Sequence, residues 1–517
     1  MTSSNTALRA AIIYAVILPL ALYVGYLLAE GGTVNKLFVA FVIFVLLLPL
    51  LLKWYHPMLF LVWNTTAMIG FLPGAPHFWL LMAAISLTIA VLQRTLTAEM
   101  RFISVPSLTF PIVFLLLVVL LTARQTGFSV RALTGLTGGQ SIGGKGYVWI
   151  LGSIAGFLAM TSQGIPRDKA ALYVGLFFLG PLSNSIGSTF PFAPPQLYYL
   201  YYVFPVDSLG SIPSLFQETI DRYYGVTIAA LFGFFYLLAR YGVSGIFQWR
   251  RLGRIGIFMF AAGMITLGGY RSYLILIVLA FLLVFYFEGL LRTQYAVAMA
   301  CFVALTCAFL IPFADKLPMS IQRTLSFLPL EVNPVARLDA EQSTEWRWEM
   351  WKTALPEVRK YALLGKGLQI SGVEFDITDD LVRRGLMSGQ EEAMLTGNYH
   401  NGPLTILIPF GVWGMLGWLW LLGASIRALY RNYRYGDPSL RTVNTFLLAL
   451  FLAKTLLFFV IFGDFRSGLA EFLGIVGLGV ALNHGICKPA LAPRLAAQPV
   501  RTRPRLTLAA QPVAARQ

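Results

Sequence analysis

The sequence predicts an all-α polytopic membrane protein, with about 12–14 transmembrane helices and one large external loop. Three observations carry that reading. Of 517 residues, 57% are hydrophobic and only 12% charged, where a soluble domain carries roughly 25% charged residues. The mean hydropathy is +0.71. The apolar residues also fall into runs long enough to cross a bilayer, separated by short basic intervals. So few charges cannot cover a water-soluble body of this size, which excludes a soluble enzyme, a disordered chain and a fibrous repeat.

In order, the apolar runs lie near 10–28, 37–52, 58–72, 79–92, 108–122, 147–161, 171–190, 226–239, 255–268, 273–287, 295–312, 404–423, 443–462 and 469–485. A spanning helix needs roughly 20 apolar residues, so the shorter runs rest on their flanks. The first run has no small-residue cleavage site before the next one and reads as a retained helix, not a signal peptide. The chain divides into N-terminal helices over 1–254, a membrane core over 255–485 that includes the loop 313–403, and a tail over 486–517. The Ala/Pro/Arg-rich tail reads as disordered.

The 39 Lys+Arg against 23 Asp+Glu leave a net charge of +16. Without a basic soluble domain, this excess is topological and not a nucleic-acid footprint. Arg427, Arg431, Arg434 and Arg441 crowd one interval, Arg240, Arg250, Arg251 and Arg254 another, and Lys488, Arg494, Arg501, Arg503 and Arg505 the tail. With an even number of crossings these groups and Arg9 share the cytoplasmic side, and both termini are cytoplasmic. Arg124, Arg131 and Lys145 then fall outside, against the rule. Cys301, Cys307 and Cys487 form no disulfide framework or metal site.

Several motifs are weak. Gly139 to Gly146 mimics a phosphate loop but has Gly146 where Ser or Thr should follow Lys145, and no strand is expected before it. Asn64-Thr65-Thr66 is a glycosylation sequon inside a predicted span. Glu374, Asp376, Asp379 and Asp380 read as a solvated loop face. The tyrosine-rich interval 191–225 reads as an interfacial aromatic belt, with a sugar-stacking surface as the alternative.

Three basic residues stand apart by position. Arg271 opens a helix after Gly268-Gly-Tyr, Arg347 lies in Glu345-Trp-Arg-Trp-Glu-Met-Trp351 of the long loop, and His400 lies in Gly397-Asn-Tyr-His-Asn401 before a span. The alternating topology brings all three to one external face. Singly, an interfacial arginine snorkels to headgroups. Together they suggest a lining for an anionic ligand. A guanidinium fork grips phosphate oxygens bidentately, so two arginines at a membrane face suit a diphosphate whose lipid tail stays in the bilayer. A near-neutral histidine can take the proton of an attacking hydroxyl, or serve as a further phosphate ligand. No His-Glu-x-x-His or His/Cys cluster offers a metal cage. The chemistry this suggests is metal-independent glycosyl transfer from a lipid diphosphate.

These residues resemble a known family. His400-Asn401, nine residues, then Gly411-Val-Trp-Gly414 is similar to the signature of bacterial O-antigen ligases. Arg347-Trp-Glu-Met-Trp351 followed by Leu363-Leu-Gly365-Lys-Gly367 resembles that family's periplasmic loop, and Arg271 its helix-opening arginine. The resemblance covers about 255–480. It implies a C-type, inverting glycosyltransferase of the bacterial inner membrane with its active site facing the periplasm and no cofactor. The implied donor is an undecaprenyl-diphosphate-linked glycan and the acceptor a lipid A–core or glycan hydroxyl, with membrane lipid around them. Arg271, Arg347 and His400 would be catalytic, the two arginines holding the diphosphate. Asn401, Trp346, Trp351 and Tyr399 would contact substrate. A repeat-unit polymerase of O-antigen or exopolysaccharide is the alternative. A polysaccharide transporter is disfavoured, since its ionisable residues would sit at the midplane of broken helices.

Overall fold

The computed structural model describes residues 17, 19–26, 32–70, 72, 75–97, 102–126, 141–142, 144–206, 222–384 and 389–489. Arg9, Arg131, the tail beyond 489 and much of the first predicted span lie outside these residues. The fold is an all-α bundle. The crossing helices are α1 (Thr33–Val62), α2 (Phe78–Leu96), α3 (Pro106–Gln125), α4 (Gly144–Met160), α5 (Ala170–Leu179, extended by short turns to Ser188), α6 (Tyr224–Ile246), α7 (Leu252–Thr266), α8 (Arg271–Phe287) and α9 (Gln294–Phe313). After the long loop follow α14 (Leu404–Tyr435), α15 (Arg441–Val460) and α16 (Phe465–Leu482). Among the described residues, nine helices are long and apolar enough to cross a membrane, and α4, α7 and α8 are shorter apolar helices.

The predicted spans 37–52 and 58–72 are corrected to one helix, α1. The polar stretch around His56 suggests a break in sequence but is helical here. His56 is buried, its Nδ1 3.1 Å from the Tyr173 hydroxyl and its Nε2 3.0 Å from the Met160 carbonyl. Buried polar groups stay folded when paired in this way. Helices crossing alternately put Thr33 and Leu482 on one face. The arginines after α6 and at the end of α14 share this basic face. Arg271, the long loop and the start of α14 share the other, the site face.

One apolar core runs from Leu51 to Leu482. Trp63, at the end of α1, is wedged between α4 and α16. Its indole N–H donates to the Ala470 carbonyl at 3.0 Å. A Cβ at Gly156 or Gly474 would lie about 2 Å from that ring, so small residues let these backbones close on it.

The long loop is mostly helical: α10 (Met319–Leu325), α11 (Pro334–Lys360), α12 (Gly372–Arg383) and α13 (Gly389–Thr396). Strands of two residues, β1 (Ser141–Ile142) and β2 (Ile370–Ser371), pair antiparallel. β1 lies inside the Gly139–Gly146 motif, not before it, and ties that segment to the long loop. The acidic α12 is largely exposed, and Asp380 pairs with Arg384 at 3.0 Å.

α14 is broken near its start. Gly411 has φ +63°, and Pro409 lies within the same turn. The turn 362–367 takes up the backbone groups this frees. Val412 N–H donates to the Ala362 carbonyl at 2.7 Å, while Lys366 and Gly367 N–H groups donate to Ile408 and Pro409 at 2.9 Å. Irregular backbone at membrane depth is tolerated where protein satisfies it in this way. A Cβ on Gly411 would stand 2.7 Å from the Leu363 carbonyl oxygen. Gly411→Ala should therefore cost roughly 1–3 kcal/mol. This should appear as a lower melting midpoint of the detergent-solubilised protein, and an unchanged midpoint would show that the break carries no strain.

Candidate functional site

α11 lies across the site face and presents Ala340, Thr344, Arg347 and Trp351 along one side, at the i, i+4, i+7, i+11 spacing of a helix stripe. Arg271 begins α8 directly beneath. Its guanidinium donates to the Ala340 carbonyl at 2.9 Å and to the Thr344 hydroxyl at 2.8 Å. These two bonds dock the start of α8 against α11 and bring Arg271 beside Arg347.

Between them lies a cavity of about 450 Å³, lined by Arg222, Arg271, Arg323, Arg347, Tyr270, Trp348 and Trp351, with Val460 and Ile461 from the end of α15. Among the described residues its lining carries four arginines and no acidic side chain. Asp339, just behind, accepts from Arg222 at 3.3 Å and from Arg323 Nε in a close contact. Arg323 also donates to the Gly269 carbonyl, so it pins the Gly268-Gly269-Tyr270 turn that launches Arg271. One carboxylate against four guanidinium groups leaves a strongly positive cavity. The Arg347 pKa is pushed below its ordinary value by burial first, then by the charges of Arg271, Arg323 and Arg222. Its buried Nε has no hydrogen-bond partner among the described residues. Buried donors are normally paired, so this one stands ready for an anionic acceptor.

His400 lies across the Phe462 ring from Arg347 and does not itself line the cavity. It sits at φ +49°, a conformation in which His is enriched among non-glycine residues. Its ring lies against Trp346 and Phe462, at centroid separations of 5.5 and 5.3 Å. The Arg347 guanidinium covers the same Phe462 ring at 5.9 Å, so Phe462 bridges the two residues. Burial, and next the positive charge of Arg347, lower the His400 pKa to about 4, against the opposing pull of Asp464. At neutral pH the imidazole is uncharged. Its Nδ1 is buried and has no partner among the described residues.

The remaining predicted residues separate by position. Trp351 lines the cavity, and its indole N–H donates to the Tyr399 carbonyl at 2.8 Å. Trp346 packs on His400. Tyr399 is fully buried, in a small core with Ala354, Leu404 and Ile408. The Asn401 side chain accepts from the Leu404 N–H at 3.2 Å and caps the start of α14. Tyr399 and Asn401 thus anchor the His400 loop at its two ends.

Arg222, Arg323 and Asp339 escape sequence reasoning. Arg222 does carry a signal, since it precedes Tyr223-Tyr224 at the head of α6 as Arg271 follows Tyr270 at the head of α8. Lys454 and Glu471 are also missed. They pair between α15 and α16 and line a second cavity. Among the described residues no three His, Cys, Asp or Glu side chains lie close enough to hold a metal ion.

Comparison with known families matches residues 256–419 to O-antigen ligase. That stretch contains Arg271, Arg347, His400 and Gly411. No curated protein matches the chain, and no solved structure does.

Proposed function

We propose, from the match of residues 256–419 to O-antigen ligase, that the chain is an O-antigen ligase-like, inverting glycosyltransferase of the bacterial inner membrane. It moves an undecaprenyl-diphosphate-linked glycan onto a hydroxyl of lipid A–core, on the periplasmic side. One observation carries the reading: four arginines converge on a single cavity at the membrane face, with an uncharged histidine beside it.

The residues divide the work as follows. Arg271 and Arg347 hold the diphosphate oxygens, with Arg222 as a further cation and Arg323 as the group that fixes the Arg271 turn. The acceptor hydroxyl attacks the sugar carbon that bears the diphosphate. A new C–O bond to the acceptor forms as the C–O bond to phosphate breaks. His400 takes the hydroxyl proton, and the diphosphate leaves on its polyprenyl chain. The charge developing on the leaving oxygen is stabilised by donors already in place, which lowers the barrier without reorganisation. The family match supports ligase and polymerase alike, and the lipid A–core acceptor is the part of this proposal that a single experiment tests.

A strain lacking the gene decides between them. Glycan chains that accumulate on undecaprenyl diphosphate, with bare lipid A–core on a lipopolysaccharide gel, are the expected result. Single repeats attached to core would overturn the ligase assignment in favour of a polymerase.

A further inference from the structure

A second cavity, of about 270 Å³, lies on the other side of Phe462 among α1, α4, α6, α8, α15 and α16. It differs in kind from the arginine cavity. Trp63, Trp79 and Trp149 form an aromatic wall, with ring pairs at 5.2 and 5.8 Å. Across from them stands the Lys454–Glu471 ion pair. Each of these residues lies six positions from its helix end at the site face, about 9 Å deep at 1.5 Å per residue. The Glu471 side chain is 48% exposed, and Glu471 lines the cavity. A half-open carboxylate at that depth requires a polar occupant, because hydrocarbon cannot solvate it.

Asn184 adds a donor. Its Oδ1 accepts from the Thr66 N–H at 2.9 Å and from the Thr66 hydroxyl at 3.0 Å. Those bonds fix the orientation of the amide. Its Nδ2 is left buried without a partner at the cavity wall, and Asn184 itself is 3% exposed. Aromatic faces set beside paired charges and spare hydrogen-bond donors match a polyhydroxylated ring, which is apolar on its faces and polar around its rim. The volume sits just below the roughly 300–1,000 Å³ of ligand clefts, which suits one ring and not a chain.

We propose that this cavity is a saccharide subsite and that it receives the terminal sugar of the acceptor. The proposal rests on the glycosyltransferase reading and adds a second substrate site to it. The arginine cavity attracts the anionic end of the donor, whereas the second cavity, with Lys454 and Glu471 already neutralising each other, has no such pull. Phe462 lines the second cavity and carries the His400 ring at 5.3 Å and the Arg347 guanidinium at 5.9 Å, so it separates that cavity from the arginine cavity.

The test compares Trp149→Ala and Trp149→Phe proteins with wild type in proteoliposomes. Undecaprenyl-diphosphate glycan is the donor and lipid A–core glycolipid the acceptor. In Trp149→Ala the acceptor KM should rise about tenfold, the scale of one lost aromatic face, while the donor KM and the amount of folded protein stay constant. Trp149→Phe should recover most of the loss. An unchanged acceptor KM, or a rise confined to the donor KM, overturns the proposal. Should Trp149→Ala fail to fold, wild-type protein labelled with a photoreactive lipid A–core gives the answer. Labels on peptides containing 63–66, 149 or 184 support the subsite, and labels confined to α11 overturn it. Wild-type protein that binds the acceptor here but transfers nothing would instead sink the transferase reading.

Discussion

Replacing Arg347 by lysine should slow glycan transfer by roughly 10²–10³-fold, the usual cost of removing one preorganised donor from a developing oxyanion. The substitution keeps the positive charge, so it isolates the geometry. Arg347 projects from the α11 stripe into a cavity it shares with Arg222, Arg271 and Arg323. Its Nε is buried and unpartnered. Only a planar fork with a donor on its edge makes two parallel bonds to phosphate oxygens, whereas an ammonium binds as a point charge. Three other arginines still attract the diphosphate in the variant. The loss should therefore fall mainly on kcat and leave the donor KM within a few-fold. Rates in proteoliposomes, with size-exclusion profiles to establish folding, provide the check. Near wild-type transfer by Arg347→Lys would mean that charge alone suffices at this position.

His400→Gln should cost roughly 10²–10⁴-fold, the range of a lost general base. The free-enzyme pKa of about 4 fixes the shape of the pH profile. Above that value the imidazole is neutral and able to accept a proton. As pH falls through about 4 it is protonated and activity is lost. Because kcat/KM reports the free enzyme, its acid limb should lie near 4, well below the ordinary histidine value of about 6.5. Bound diphosphate favours the imidazolium and moves the limb of kcat upward. Both limbs should disappear in His400→Gln. A kcat/KM limb near 6.5, or one that survives the substitution, would take the base role away from His400.

The membrane class was readable from composition because bilayer thickness imposes its length on every apolar run. The polar stretch before Pro57 misled the segmentation. What keeps His56 helical is the hydroxyl of Tyr173 and the carbonyl of Met160, more than 100 residues away. Arg271, Arg347 and His400 were legible because each carries a local oddity, a glycine pair, a tryptophan cluster or an aromatic dipeptide at a helix boundary. Arg222 and Arg323 were not. Their meaning comes from Asp339, which the packing of α10 on α11 delivers to Arg323 and which Arg222 reaches from the head of α6. The Lys454–Glu471 pair was lost for the same reason, since each residue alone interrupts an apolar helix and only the pairing of α15 with α16 explains them. The spacing of Gly365, Gly367, Gly411 and Gly414 was visible as a pattern. Its cause, a broken helix sealed by a neighbouring turn, needed the backbone.

The four-arginine cavity also bears on how a catalytic cycle ends. A pocket that grips the diphosphate of the donor grips the spent carrier as well, because the same charged group remains once the sugar has gone. Favouring the leaving group in this way makes its departure from the protein slow. On the proposed function, turnover would then depend on whatever clears undecaprenyl diphosphate from the surrounding leaflet, and at high carrier content the chain would be held by its own product. Asp339, shared by Arg222 and Arg323, would compete with such a diphosphate for those cations.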